Sequence, residues 1–286
     1  MFDVVIPAFN AAGTVTDAIT SAKRAGAAAV IVIDDGSIDE TATIAAEAGA
    51  IVLTQSNSGA ARARQRGAEQ STAEFVIFLD SDDELLPDGV HESLRILSEN
   101  NKLSAAGGGV RGVMPRGKVR TVPRTYRNRV TSSNLLARGY GAWPPGAAVI
   151  RRQAFFTSLQ IPARRLSTKY AEDYEMFVRL SIVGDLFAHQ TPSLLYRMYD
   201  GKSSNSDTLP LQDKEVIRAH YAHYLGVRYA EVSKGQLKSS ILFRRARTKW
   251  AHGQYLGAAK AAIEGCFANP ASTLRKLVRR VAGRRQ

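Results

Sequence analysis

The chain has 286 residues, a formal net charge of +13 and a single cysteine, Cys266. That length suffices for one sizeable core or two fused smaller ones, and 44% hydrophobic with 23% charged residues excludes disorder as the default. One cysteine excludes an internal disulfide and a Cys-based metal site, and fits a reducing, cytoplasmic compartment.

No apolar run approaches the ~18–20 residues that a spanning helix needs; Ala27 to Ile33 is the best candidate and stops at Asp34. The opening MFDVVIPAFN lacks the basic and apolar regions of a secretion signal. From Lys234 onward there are 13 Lys/Arg and one acid, Glu264, whereas the residues before it carry 26 Lys/Arg and 25 Asp/Glu. The basic character therefore belongs to the C-terminal part, as in an appended surface-binding element.

Val4-Val5-Ile6 reads as a short strand ended by Pro7, with Asn10 to Gly13 as a turn. Thr14 to Lys23 is predicted helical, with Val15, Ala18, Ile19 and Ala22 on one face. Ala29 to Ile33 is a second strand, followed by Asp34-Asp35-Gly36-Ser37 and a helix running through Ile44 to Ala48 that Ser37 or Asp39 can cap. Ala50 to Leu53 is a third strand, Ala60 to Gln70 a helix after the loop Asn57-Ser58-Gly59, and Phe75 to Leu79 a fourth strand running into Asp80.

Gly107 to Arg129 reads as a hairpin or a mobile loop. Trp143-Pro-Pro-Gly146 is a rigid turn before a strand from Ala147 to Ile150. A helix beginning at Asp173 places Met176, Phe177, Leu180 and Val183 in a stripe; Leu194 to Arg197 is a strand and Gly201 to Ser206 a boundary loop. The pattern from Leu209 onward is helical. Apolar strands alternating with helices imply a mostly parallel, Rossmann-like α/β sheet covered on both faces, with a C-terminal helical extension. Ligands of such sheets bind beyond the carboxyl ends of the strands, and the polar clusters lie there.

Among these, Asp80-Ser81-Asp82-Asp83 places three carboxylates within four residues, which repel unless a cation compensates. Hard oxygen ligands suit Mn²⁺ or Mg²⁺, ions that complete their shell with substrate phosphates. Taken alone, the same four residues read equally well as a helix N-cap ahead of Pro87, and the apolar strand directly before them shifts the reading towards a ligand site. Asp34-Asp35 suits either a ribose or base contact or a turn. Of Arg62, Arg64 and Arg66, one at the front of its helix can reach a diphosphate, while the others fit a solvated face. Glu172-Asp173 suits a general base in a cleft or acids that complement a helix dipole. The five histidines show no ligand spacing, and no Walker loop, Gly-x-Gly-x-x-Gly or Gly-x-Ser-x-Gly motif occurs.

Taken together, these segments over about residues 1–205 resemble glycosyltransferase family 2, the inverting nucleotide-sugar-dependent enzymes with the GT-A fold. Val4-Val-Ile-Pro-Ala-Phe-Asn10 is similar to the opening strand and turn, so Pro7, Ala8, Phe9 and Asn10 are expected to line the nucleotide pocket. Val32-Ile-Asp-Asp-Gly-Ser37 resembles the second motif, implying a base contact for Asp35; Asn57-x-Gly59-x-Ala61-x-Ala63-Arg64 resembles the third and selects Arg64. Phe78 to Asp83 resembles the family's DxD strand end. The resemblance implies that Asp80 and Ser81 face the nucleotide and that Asp82, with Asp83, faces the metal. Ala171 to Glu175 resembles the "ED" helix start, implying Asp173 as base beside Glu172.

One departure stands out: Tyr199 occupies the position of a histidine that many members place after Tyr-Arg, although Arg197 remains, in reach of a diphosphate. The resemblance divides the chain into a nucleotide-sugar-binding half (1–110), an acceptor-binding half with the base (111–205) and a basic helical region (206–286). The implied reaction is single-displacement transfer from a UDP-sugar to a glycan or lipid-linked acceptor, in polysaccharide biosynthesis.

Gly253 to Pro270 is similar to the second helix of a tetratricopeptide-type hairpin, and Leu274, Leu277, Val278 and Val281 form an apolar stripe beside basic residues. That tail suits either peripheral contact with the anionic inner face of a membrane or packing on the protein. Two other readings remain: an inactive nucleotide-binding member, and nucleic-acid binding through the basic tail. The sparse aromatics there give stacking little support, so no nucleic-acid partner is expected.

Overall fold

The computed structural model describes residues 1–114, 117–123, 126–166, 168, 170–197 and 209–270. The described parts of residues 1–167 and 172–199 form one compact unit; those of 168–171 and 200–286 form a second.

In the first unit, apolar runs become the buried strands β1 (Phe2–Ala8), β2 (Val30–Asp34) and β4 (Phe75–Phe78) and the partly exposed edge strand β3 (Ile51–Thr54). All four are parallel, in the order β3-β2-β1-β4, so their carboxyl ends share one edge. The helices between them are α1 (Val15–Arg24), α2 (Thr41–Glu47) and α3 (Ala60–Gln70). α1 buries Val15, Ala18, Ile19 and Ala22, the predicted face. α3 turns small residues inward, and the side of Gly67 lies against Val5 of β1, leaving no room for a Cβ.

Beyond β4 come the two-residue strand β5 (Glu84–Leu85), α4 (Pro87–Glu99) and β6 (Leu103–Val113). Then follow β7 (Val119–Thr121), β8 (Asn128–Val130), α5 (Ser132–Arg138), a 3-10 turn Pro145–Ala147, β9 (Ala148–Arg151), α6 (Arg152–Gln160), α7 (Glu172–Val183) and β10 (Asp185–Arg197). They extend the same sheet as β4-β9-β6-β10-β5, with β7 paired to β6 and β8 to β10. β9 is antiparallel to both neighbours, and β6 with β10 restores a parallel pair.

The segment expected as a hairpin or mobile loop begins as β6, a long central strand, and only its second half turns back as β7. Three consecutive glycines disguise it, because glycine has poor strand propensity. They are needed for close approach: a Cβ on Gly107 would stand 2.8 Å from both the Ala147 carbonyl and the Trp143 ring. β10 is also longer than the predicted Leu194 to Arg197, since shifts of register around Pro192 interrupt its pattern. On α7 the buried stripe is Tyr174, Phe177, Val178 and Leu180; Met176 and Val183 are half-buried. The edge-to-face pair Trp143–Phe177 (5.5 Å) and the Tyr174 hydroxyl donating to Leu135 O (3.0 Å) set this rotation.

The second unit contains α8 (Leu209–Leu225), α9 (Lys234–Ala251) and α10 (Tyr255–Ala268). Ser233 and Gln236 cap α9 reciprocally. Gly253, at φ 74°, helps turn the chain into α10, which returns antiparallel along α9, with Ser239 Oγ donating to Gly265 O (2.8 Å). The expected boundary loop Gly201 to Ser206 and the tail beyond residue 270 lie outside the described residues. No helix among those described is long and apolar enough to cross a membrane.

Candidate functional site

Three loops emerge from the shared edge of the parallel strands. The loop after β1 is stitched to the loop after β2. Asn10 N donates to Ser37 Oγ (2.9 Å), Ile38 N to Asn10 Oδ1 (3.0 Å), Ala11 N to Thr41 Oγ1 (2.7 Å) and Ala12 N to Asp39 Oδ2 (3.2 Å). Asn10 holds φ 51°, a left-handed conformation that asparagine tolerates better than most residues. Pro7 and Ala8 end β1, and Ala8 O accepts from Asp35 N (2.8 Å).

Asp35 is buried and organises the next loop. Its Oδ1 accepts from Gln55 Nε2 (2.8 Å) and Ser58 N (2.7 Å), and its Oδ2 from Gly59 N (2.8 Å). It thereby fixes the Asn57-Ser58-Gly59 turn that opens α3, and a carboxylate's roughly four acceptor sites leave it room for one more donor. Neither Gln55 nor the tie to Ser58 was anticipated from the sequence. A glutamine at the end of a weak strand carries no motif.

Arg64 is buried and connects three elements. From α3, Nη2 donates to Asp80 Oδ1 (2.8 Å) and Nη1 to Glu172 Oε1 (3.2 Å) at the start of α7. Its buried Nε has no hydrogen-bond partner among the described residues. Asp80, Glu172 and Asp173 hold its cation more firmly protonated, against the cost of burial. The resemblance implies a nucleotide contact for Arg64, and within the protein its fork faces two carboxylates. Of the neighbouring arginines, Arg66 donates to Thr54 O (2.7 Å) and Arg62 is exposed.

The Asp80 to Asp83 turn does not cap a helix, because α4 begins at Pro87 with Leu86 before it. Asp83 N donates to Asp80 O (3.1 Å). The buried Asp83 carboxylate accepts from Arg197 N (2.9 Å) through Oδ1, while its buried Oδ2 has no partner among the described residues. Burial, then Asp80 and Asp82, push Asp83 up to about 9. Asp82 is raised as well, by burial first and then by Asp80. Ser81 is half-buried between them.

An orphaned hard oxygen beside two further carboxylates fits a divalent cation. Among the described residues no three His, Cys, Asp or Glu side chains form a ligand set. Mn²⁺ or Mg²⁺ would therefore need oxygen ligands from phosphate or water beyond Asp82 and Asp83.

α7 supplies the remaining acids. Ala171, directly before it, adopts φ 65°, which for a residue with a Cβ costs of order 1 kcal/mol and is typical of functional sites. Burial raises Glu172, outweighing the attraction of Arg64. Asp173 is half-buried, and its Oδ1 accepts from Tyr174 N (2.7 Å). Arg197 reaches Asp17 Oδ2 with Nη2 (3.1 Å) while its backbone holds Asp83.

The residue that sequence reading passed over is Tyr196. Burial raises its phenol, and so do the charges of Asp83, Asp80, Asp173 and Asp82, whose field reaches it. Its signals were its place at the end of a strand and its being the tyrosine of the Tyr-Arg pair noted in the sequence. Tyr199, standing where many relatives have histidine, lies outside the described residues.

The sequence profile described as glycosyl transferase family 2 matches residues 3–156. The chain belongs to that family. Among curated relatives, Glycosyltransferase AglJ of Haloferax volcanii is 40% identical over 80 residues, covering 28% of this chain and 26% of that protein. The chain spans 23–32% of the lengths of the first three such relatives. Among solved structures, S. aureus TarS 1-349 in complex with UDP-GlcNAc superposes with TM-score 0.62 at 20% identity, over 92% of this chain and 81% of that one. Glucosyl-3-phosphoglycerate synthase of Mycobacterium tuberculosis, in complex with Mn²⁺, UDP and phosphoglyceric acid, gives 0.53 at 19%, over 82% and 80%. At these identities the likeness is one of fold, and that fold is GT-A.

Proposed function

We propose that this family 2 member transfers a sugar from a nucleoside-diphosphate donor, UDP-sugar first, to a hydroxyl of a glycan or lipid-linked acceptor, with inversion. The observation that carries this reading is the Arg64 bridge, which ties the acidic turn after β4 to the start of α7 and so brings Asp173 to the carboxylate cluster. The UDP and Mn²⁺ complexes of the structural neighbours support the donor and metal assignments by analogy. Residues 1–110 would supply the donor side, and 111–205 the acceptor side with the base.

In this mechanism the loops of Pro7 to Asn10 and Asn57 to Gly59 receive the nucleotide, and Asp35 offers its remaining acceptor position to the base. Asp80 and Ser81 face the ribose and diphosphate, with Arg197 as a cation nearby. Asp82 and Asp83 would hold the divalent ion, whose chemistry is to neutralise charge on the departing diphosphate. The Asp173 carboxylate accepts the acceptor's hydroxyl proton as its oxygen bonds to the anomeric carbon and the bond to the diphosphate breaks. Arg64 engages Glu172 Oε1 beside Asp173 and so keeps that carboxyl away from the role of base.

The test is Asp173→Asn with a panel of UDP-, GDP- and dTDP-sugars, with and without Mn²⁺. Transfer should fall by at least about a hundredfold, while the donor's stabilising effect on the melting temperature is retained. Near-normal turnover would remove Asp173 as base. A donor that stabilises the wild type but is neither hydrolysed nor transferred would identify a nucleotide-binding member without activity.

A further inference from the structure

We propose that the α9–α10 hairpin is a docking surface for an anionic lipid bilayer. The inference rests on the second unit alone and does not depend on the transfer reaction. α10 packs on α9 through Ala258, Ala261 and Gly265. Its opposite side carries Leu256, Ile263 and Phe267, exposed at 91%, 58% and 79%, with Tyr255 at 60%. Positions 256, 260, 263 and 267 follow helical spacing, so the three apolar side chains form one stripe with Lys260. A helix that is apolar on both sides is not a water-facing helix.

The charge identifies the occupant. Residues 234–268 contain seven Lys/Arg and one acid, Glu264. Lys234, Lys238 and Arg245 are exposed on α9, which carries no acid at all. Lys249 lies along Gly257, its Nζ 3.1 Å from where a Cβ would be, which brings its charge to the same end as the aromatic residues. At that turn Trp250, 64% exposed, stacks edge-to-face on Tyr255 at 4.9 Å. Tryptophan and tyrosine prefer the headgroup depth of a bilayer, where the ring is buried and its polar edge stays wet.

An anionic membrane satisfies both halves of the surface, taking the stripe into the acyl boundary and the cations against the headgroups. A second copy of the chain would bring the same positive charge to the contact. Nucleic acid would match the charge but leave Leu256, Ile263 and Phe267 in water.

Trp143, the other of the two tryptophans, is buried, so a change in emission reports on Trp250. The full chain is mixed with vesicles of phosphatidylglycerol and phosphatidylcholine, or of phosphatidylcholine alone. The emission should shift to the blue on the anionic vesicles, with partitioning at least about tenfold stronger than on neutral ones. The Leu256→Ser/Phe267→Ser double variant alters only exposed side chains and should keep the wild-type far-UV dichroism while partitioning at least about tenfold more weakly. Lys234→Glu/Lys238→Glu should lose the preference for anionic lipid. No shift on anionic vesicles, or unchanged partitioning of the serine variant, would overturn the proposal. So would a blue shift that grows with protein concentration in the absence of lipid, or a larger one with duplex DNA than with anionic vesicles.

Discussion

At the scale of single residues, the site is governed by how few cations face its acids. Arg64 serves Asp80 and Glu172 at once, and a planar fork is the side chain suited to two carboxylates. Arg64→Met should therefore cost about 3 kcal/mol of stability, the lower end for a broken buried pair because both acids are partly exposed; urea denaturation measures it. Glu172 provides a pH test. Its carboxyl is raised by burial, so its contribution to stability is fully present below the ordinary carboxylate value and is lost as pH rises through the raised one. The slope is at most about 1.4 kcal/mol per pH unit. Glu172→Gln keeps an oxygen for Arg64 and should flatten the fall in melting temperature above pH 4 to 5; an unchanged slope would place its origin elsewhere. Asp35, Asp80 and Asp82 stood out as candidates from their strand-end positions, and Asp173 from its place at a helix start. The Arg64 bridge was not, because it joins residues 108 positions apart and sequence carries no record of which acid a buried cation meets.

Elements were legible where one pattern governed them. The parallel strands β1 to β4 are continuous apolar runs, and α3 was delimited as Ala60 to Gln70, as found. The pattern failed where close approach replaced hydrophobicity as the requirement. β6 needs glycines under Trp143 and the β10 backbone, and those glycines conceal a central strand. α3 obeys the same requirement at Gly67, against Val5. Alanine there gains about 1 kcal/mol in helix propensity, but its Cβ would force α3 off β1, and overpacking costs about 1–3 kcal/mol. Because Val5 is buried with nowhere to move, the clash should prevail. Gly67→Ala should lower the denaturation midpoint, whereas alanine at the unobstructed Gly13 should leave it nearly unchanged.

For the whole molecule, the uneven charge was the most informative bulk property, since it separated the acid-balanced part that carries the motifs from the basic helical part. Composition alone could not show that the basic part also exposes an apolar stripe, because only the packing of α10 on α9 determines which side of α10 is left over. Donor binding offers a measurement on the intact chain. At about a hundred times its dissociation constant, a ligand selective for the folded state contributes about 2.7 kcal/mol, equivalent to roughly 5–10 °C in a chain of this size. UDP with Mn²⁺ should produce a rise of that order, and chelation by EDTA should remove most of it.

The stitching of the first two loops bears on kinetics. Because Asn10, Ser37, Thr41 and Asp39 hold each other within the protein itself, little chain entropy would remain to be lost there if, as proposed, these loops receive the nucleotide. Encounter with the donor's base should thus resemble a key entering a cut lock, its rate set by diffusion and orientation and not by the time a loop takes to form.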